Sequence, residues 1–437
     1  MNQCVKQYIP LYSSDAEIFD FRPGRYKTEN SLVGHEWGKI EELYSELSKL
    51  AEFIFINDIL ENCEDEIPEI SFSSFLPIQV KKQEKYNIYR WAIGGRNNLK
   101  LNADCYKLYK YFQNVSNDDE KDWMRLLFYW SSDFRTHISL PRFIELNKLL
   151  SNEEGILKYQ TENALPANSD NKVVLTQTPK SYTINTKKYE IKLNRKKGLT
   201  IQSFILSGES KKTVIGEIEH GTYDDITFSN DYFSGYAICY DNSRKQYTHL
   251  FDRKEITEQF EDRIVIKAQN NCNNKFHISD EMTAFQDYFE IKRKITILDD
   301  CIDIIHPFTF TFLPHESLRL MSYNICCGGK TPQRYSLLSL ADITQQSKYL
   351  TISAINGISP TDGKLIITGE YGDEQLTFEL DNCESPLMYN FIFEENVGLG
   401  EEKLPFCWLV MSAQEINDTY KGNTERKNSF ECKIKIY

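Results

Sequence analysis

The sequence predicts an α+β multidomain protein in which a helical bundle precedes a large antiparallel β-sandwich. Two observations carry this. Apolar residues recur at helical spacing to about Leu150, and beyond the polar, proline-containing stretch Ala164-Leu165-Pro166-Ala167-Asn168-Ser169-Asp170-Asn171-Lys172 the period changes from 3.6 to 2. The many short strands beyond it have no helical periods between them, which argues against a parallel α/β sheet.

The first helix is expected from Glu36 to about Leu60, where Ile40, Leu43, Tyr44, Leu47, Leu50, Ala51 and Ile54 trace one face. Pro68 and Pro77 interrupt the pattern. Helical spacing returns at Cys105, Leu108, Tyr109 and Phe112, with Asn102 as a candidate cap. A third helix starts after Asn117-Asp118-Asp119-Glu120, whose side-chain oxygens cap amides and whose carboxylates oppose the N-terminal dipole, and runs through Trp123, Leu126, Leu127 and Trp130. Pro141 opens a fourth, through Phe143, Leu146, Leu149 and Leu150. In the second half, Tyr189 to Leu193 alternates, as do Ile291 to Ile297 and Ile302 to Ile304, with Asp299-Asp300 as the turn of a hairpin between the last two. Leu365 to Thr368 and Leu376 to Leu380 make another hairpin around Tyr371-Gly372-Asp373.

With 437 residues the chain can hold two or three domains, expected at 1–30, 31–165 and 172–437. Hydrophobic residues at 41% and charged ones at 26% exclude wholesale disorder. The balance of 51 Lys and Arg against 64 Asp and Glu, without a dense basic run, excludes a phosphate-backbone binder, so no nucleic-acid partner is expected. No stretch approaches about 18 apolar residues, and MNQCVKQYIP lacks an apolar core after its basic residue, so the expectation is a soluble, cytoplasmic protein without a membrane partner. The 11 scattered cysteines, with Cys326 and Cys327 vicinal rather than C-x-x-C, suit free thiols in a reducing compartment. None of the seven histidines forms H-x-x-x-H or H-x-H, and neither G-x-G-x-x-G nor a P-loop occurs; no metal and no cofactor is expected. Aromatic residues at 13% suit either sugar-stacking surfaces or a β-rich core.

Chemistry concentrates in a few clusters. Near the N-terminus the apolar run Tyr8-Ile9-Pro10-Leu11 leads into Asp15, Glu17, Asp20, Arg22 and Arg25. Carboxylates at i and i+2 on a strand share a face, so Asp15 and Glu17 converge, with Arg22 or Arg25 able to keep one ionised. Acid catalysis on a glycosidic oxygen needs such a pair; a structural ion-pair network is the competing reading. Asp133, Arg135 and His137 come after Trp130 at a helix end, either lining a cleft or docking domains. Arg90, Trp91, Arg96 and Asn98 flank Gly94-Gly95, where a grip on hydroxyl groups competes with relief of a tight backbone approach. In the sandwich, His220, Tyr223, Asp224, Asp225, Asp231 and Tyr232 mix aromatic faces with carboxylates, a composition that stacks on sugar rings and bonds their hydroxyls, and that also occurs in ordinary polar loops.

The spacing Asp15-x-Glu17-x-Phe19 resembles the D-x-E-x-F core of the last barrel motif of glycoside hydrolase family 57, whose aspartate is the general acid. Three further segments resemble the region C-terminal to that barrel in this family and its family 38 relatives: Arg90 to Asn98, Tyr129 to His137 and Ile218 to Ile226. The resemblance covers nearly all of the chain. It implies that 1–30 is a remnant of the last barrel strand with its active-site loop, that 31–165 is the bundle, and that 172–437 is a supersandwich of the galactose mutarotase type. It also implies an oligo- or polysaccharide as partner, Asp15 as general acid with Glu17 beside it, and Arg22, Arg25, Trp91, Arg96, Asp133, Arg135, His137, Tyr223, Asp224, Asp225 and Tyr232 as substrate-binding residues. In the family the nucleophilic glutamate and barrel histidines precede this motif, so the expectation is a chain incomplete as a catalyst alone, either a truncated enzyme or a split one in which a second polypeptide supplies the rest of the barrel. A non-catalytic carbohydrate-binding or scaffold module is the alternative. An interaction protein that pairs through the open edge of the Tyr8 to Tyr12 strand is a third.

Overall fold

The computed structural model describes residues 36–55, 58, 98–131, 134, 139–153, 173–207, 213–218, 220–223, 232–251, 253–327, 332–338, 358, 360–369, 374–380, 387–399, 402–413 and 429–437. The chain divides into two compact units, Met1–Phe72 and Ser73–Tyr437. The first contains helix α1, Glu36–Leu47. This helix stops well short of the expected Leu60: residues 48–50 form a turn, and Leu50, Phe53, Ile54 and Phe55 are exposed rather than aligned on one buried face.

The second unit starts with three described helices, α2 Asn98–Asn114, α3 Glu120–Trp130 and α4 Leu140–Ser151. Their apolar positions close on one another as Leu101, Cys105, Leu108, Phe112, Leu126, Tyr129, Leu146 and Leu150. Asp119 caps α3 by accepting from the Lys121 amide at 2.9 Å, and Pro141 sits in the first turn of α4, where a missing N–H costs nothing. Asn102 is not a cap. It lies within α2, buried, accepting from the Trp130 indole at 3.2 Å and so tying α2 to the end of α3.

Nineteen described strands come next, all antiparallel, in two sheets. The ten-stranded sheet contains β1 Val174–Gln177, β2 Ser181–Asn185, β3 Tyr189–Asn194, β4 Thr200–Leu206, β5 Thr213–Gly216, β6 Tyr236–Asp241, β7 Gln246–Thr248, β12 Ile302–Phe312, β17 Met388–Leu399 and β18 Glu402–Ser412. The nine-stranded sheet runs β14 Gln333–Ser336, β13 Ser322–Cys327, β15 Pro360–Thr368, β16 Glu374–Leu380, β19 Ser429–Ile436, β11 Phe289–Ile297, β10 Phe276–Ala284, β9 Ile264–Cys272 and β8 Lys254–Gln259. The fold is therefore α+β, with helices followed by an antiparallel sandwich. The expected β15/β16 hairpin forms, with Leu365 opposite Phe378. The Asp299-Asp300 turn, however, does not close a hairpin: β11 and β12 lie in different sheets, so this turn is an arch over the sandwich edge.

Side-chain alternation explains the layering. On β12, Phe308, Phe310 and Phe312 point between the sheets, opposite Met411, Leu409 and Cys407 of β18, and join the main core. Residues of the other parity, Thr309 opposite Val410 and Thr311 opposite Trp408, face outward yet are also buried. Strands covered on both faces read as nearly continuous apolar runs, as in LPFCWLVM of β18.

One buried ionic cluster crosses the sandwich. Asp280 on β10 accepts from Arg293 of β11 at 2.8 Å through both oxygens and from Arg253 at 2.6 Å. Arg293, fully buried, also donates to the Gly235 carbonyl at 2.9 Å and to that of Pro307, both on the opposite sheet. It thereby fixes the chain beside Tyr236 and His306. Burial alone would raise the Asp280 carboxyl, but the two guanidinium charges and the Arg293 hydrogen bonds hold it well below the usual carboxylate range.

Candidate functional site

Most of the residues singled out from sequence, Asp15, Glu17, Arg22, Arg25, Trp91, Arg96, Asp133, Arg135, His137, Asp224 and Asp225, lie outside the described residues, as do Arg90 and Asp231. Tyr223 and Tyr232 are described, and here the expectation of an exposed stacking surface is corrected. They are 2% and 7% exposed. Tyr232 packs against Phe406 and Trp408 with ring centroids 4.8 and 5.5 Å away, and Tyr223 meets Phe406 edge-on at 5.9 Å. Burial pushes the Tyr223 phenol up, and both rings belong to a covered aromatic layer. His220, by contrast, is exposed.

That layer covers one end of the outer face of the ten-stranded sheet. The chain between β5 and β6 crosses the face there: Ile218 pairs with Tyr232, and the Thr311 hydroxyl donates to the Phe233 carbonyl at 3.2 Å. On the same face a row of polar side chains, with Tyr240 and Trp408 themselves part of that layer, runs over four neighbouring strands. Tyr240 of β6 stands opposite Ile304, and its ring meets that of His306 on β12 at 5.8 Å. His306 Nδ1 and Ser412 Oγ of β18 share a hydrogen bond of 2.8 Å. Asn390 of β17 is opposite Val410, between Trp408 and Ser412 on the same face of β18.

The row is buried and incompletely paired. Tyr240, His306, Asn390 and Trp408 are each nine-tenths or more buried, yet the Tyr240 hydroxyl, His306 Nε2, both polar atoms of the Asn390 amide and Trp408 Nε1 have no hydrogen-bond partner among the described residues. Each such group costs about 1–3 kcal/mol when left unsatisfied. Burial pushes the His306 imidazole down to about 3, leaving it neutral at pH 7 with a tautomer set by Ser412. Burial, with the Tyr232 phenol nearby, pushes the Tyr240 hydroxyl up, so it remains a donor as well as an acceptor.

None of these four residues was singled out from sequence. His306 and Ser412 are separated by 106 positions, a proximity that only the β12/β18 pairing creates. The signal in the sequence was local: a histidine within the apolar run IDIIHPFTFTF and an asparagine within MYNFIF.

No family model matches the chain, and no curated protein matches it. Among solved structures, a galactose mutarotase-like protein from Clostridium acetobutylicum matches with 10% identity and a TM-score of 0.36, over 62% of this chain and 99% of its own. A 4-alpha-glucanotransferase from Thermococcus litoralis matches with 9% identity and a TM-score of 0.33, over 79% of this chain and 52% of its own. A heparan sulfate lyase from Pedobacter heparinus matches with 8% identity and a TM-score of 0.33, over 78% and 52%. Values of this size carry no functional assignment.

Proposed function

We propose that this chain is a carbohydrate-active protein similar to the C-terminal half of a family 57 glycoside hydrolase, acting on an oligo- or polysaccharide, with Asp15 as the general acid. The observation that carries the reading is the order of parts. The segments Asp15 to Phe19, Arg90 to Asn98, Tyr129 to His137 and Ile218 to Ile226 resemble that family in sequence, and helices with their own core followed by a two-sheet antiparallel sandwich are the layout this resemblance implies. The test is turnover of α-glucans and aryl glycosides by the protein, which Asp15→Asn should lower while leaving the fold intact. Equal turnover in that variant removes Asp15 from the mechanism.

A second reading is a non-catalytic carbohydrate-binding or scaffold module. Its scaffold form is favoured by the burial of Tyr223 and Tyr232, which makes these rings part of the packing rather than an open sugar-binding platform.

A further inference from the structure

We infer that the free edge of β8, Lys254–Gln259, pairs antiparallel with β8 of a second copy of this chain about a two-fold axis at Ile256, continuing the nine-stranded sheet into a homodimer. The edge is open. Among the described strands β8 is the last of its sheet and pairs with β9 alone. The Phe260 N–H donates to the Arg263 carbonyl at 2.9 Å, and an unbroken register leads from there to Glu258 opposite Val265 and Ile256 opposite Lys267. Antiparallel ladders alternate, so the backbone groups of Lys254, Ile256 and Glu258 turn to β9 and those of Glu255, Thr257 and Gln259 turn away from it. The inner face anchors the strand: Glu255 accepts from Arg195 Nε at 2.6 Å, and the Thr257 hydroxyl donates to that of Tyr182 at 3.2 Å. On the outer face Lys254 is exposed, and Ile256 is 65% exposed.

This edge is complementary to itself. A two-fold axis normal to the sheet keeps outer side chains on the outer face, so the pairing must centre on a residue rather than between two. Centred on Ile256, it sets Lys254 against Glu258 of the copy on both sides and Ile256 against its own equivalent. Glu255 and Thr257 then exchange main-chain hydrogen bonds with Thr257 and Glu255 of the copy, and the two isoleucines form the non-hydrogen-bonded pair, whose side chains lie closest. Centring on Glu255 instead opposes two carboxylates, and centring on Thr257 sets Ile256 against Glu258. Charge supplies the second support. Across the outer face Glu258 lies 3.3 Å from Lys267 of β9, Lys267 4.0 Å from Glu281 of β10, and Glu281 3.4 Å from Lys292 of β11. The alternation reaches the edge at Glu258, and Lys254 of the copy extends it by one strand.

The test is sedimentation velocity of the full chain from about 1 to 100 µM, where the wild type should pass from monomer to dimer. Ile256→Lys brings two ammonium groups together on the axis, and Lys254→Glu and Glu258→Lys each set like charges opposite one another. Each of the three should weaken dimerisation about tenfold or more. Their side chains reach solvent, and circular dichroism checks that the variants fold. An equimolar mixture of the Lys254→Glu and Glu258→Lys chains should dimerise again, because in the mixed pair every glutamate faces a lysine. A chain that stays monomeric at 100 µM would overturn the second copy as occupant and leave this edge to a different chain. A dimer insensitive to all three variants would overturn the placement on β8. Charge variants that weaken the dimer without rescue on mixing would overturn the register centred on Ile256.

Discussion

Asp280 shows how single residues hold the site in place. Its carboxylate neutralises two buried guanidinium groups, and one of them, Arg293, spans the sandwich to carbonyls next to Tyr236 and His306. Asp280→Asn leaves two buried cations without a counter-charge and should destabilise the protein by about 3–5 kcal/mol in denaturant titrations. Its acid dependence stems from the depressed carboxyl. An unfolded aspartate takes up its proton near pH 4 and the folded one much lower, so this stabilisation is complete above about pH 4 and is lost as pH falls further. The histidines act at milder acidity. His306 is pushed down to about 3 by burial, and His249 is lowered by burial and by Arg293 and Arg253. Between about pH 6.5 and 3 the unfolded chain therefore binds more protons, and stability should fall with pH by up to about 1.4 kcal/mol per unit for each histidine. His306→Gln should flatten that limb in urea melts at stepped pH, and an unchanged slope would mean that His306 is already charged in the fold.

Turns and caps decide what the individual elements become. Gly198 enters β4 with φ +67°, and a Cβ there would collide with the His249 carbonyl oxygen. Gly198→Ala should cost about 1–3 kcal/mol, measurable as a lowered melting temperature. Loss of the α3 cap in Asp119→Ala should cost about 1 kcal/mol. Asp119 and Pro141 were legible because capping is a local property, and Tyr189 to Leu193 because a half-buried strand imposes alternation on its own residues. The arch at Asp299-Asp300 was not, since a turn between two alternating runs fits a hairpin and a sheet crossing equally well. What separates them is that β11 pairs with β19 and β10, while β12 pairs with β18, β5 and β6. Likewise, the length of α1 was overread because Leu50 and Ile54 continue the helical spacing beyond the point where the backbone turns.

For the molecule as a whole, the change of period after Leu150 was enough to read helices followed by an antiparallel sandwich, because each layer's burial is written in the spacing of its apolar residues. The candidate site was far less legible. Tyrosine composition does not say which rings are covered, so Tyr223 and Tyr232 were expected at a surface and are packed on Phe406 and Trp408. The polar row of Tyr240, His306, Asn390 and Trp408 exists only through strand pairing between distant parts of the chain. The order of the sequence segments that resemble family 57 supports carbohydrate recognition as the central proposal. The most direct measurement is a binding assay of the folded full chain at neutral pH against an array of neutral and acidic glycans. Saturable binding to at least one neutral glycan, in the high micromolar to millimolar range, is the expected result; a folded chain that retains no glycan at all would contradict it.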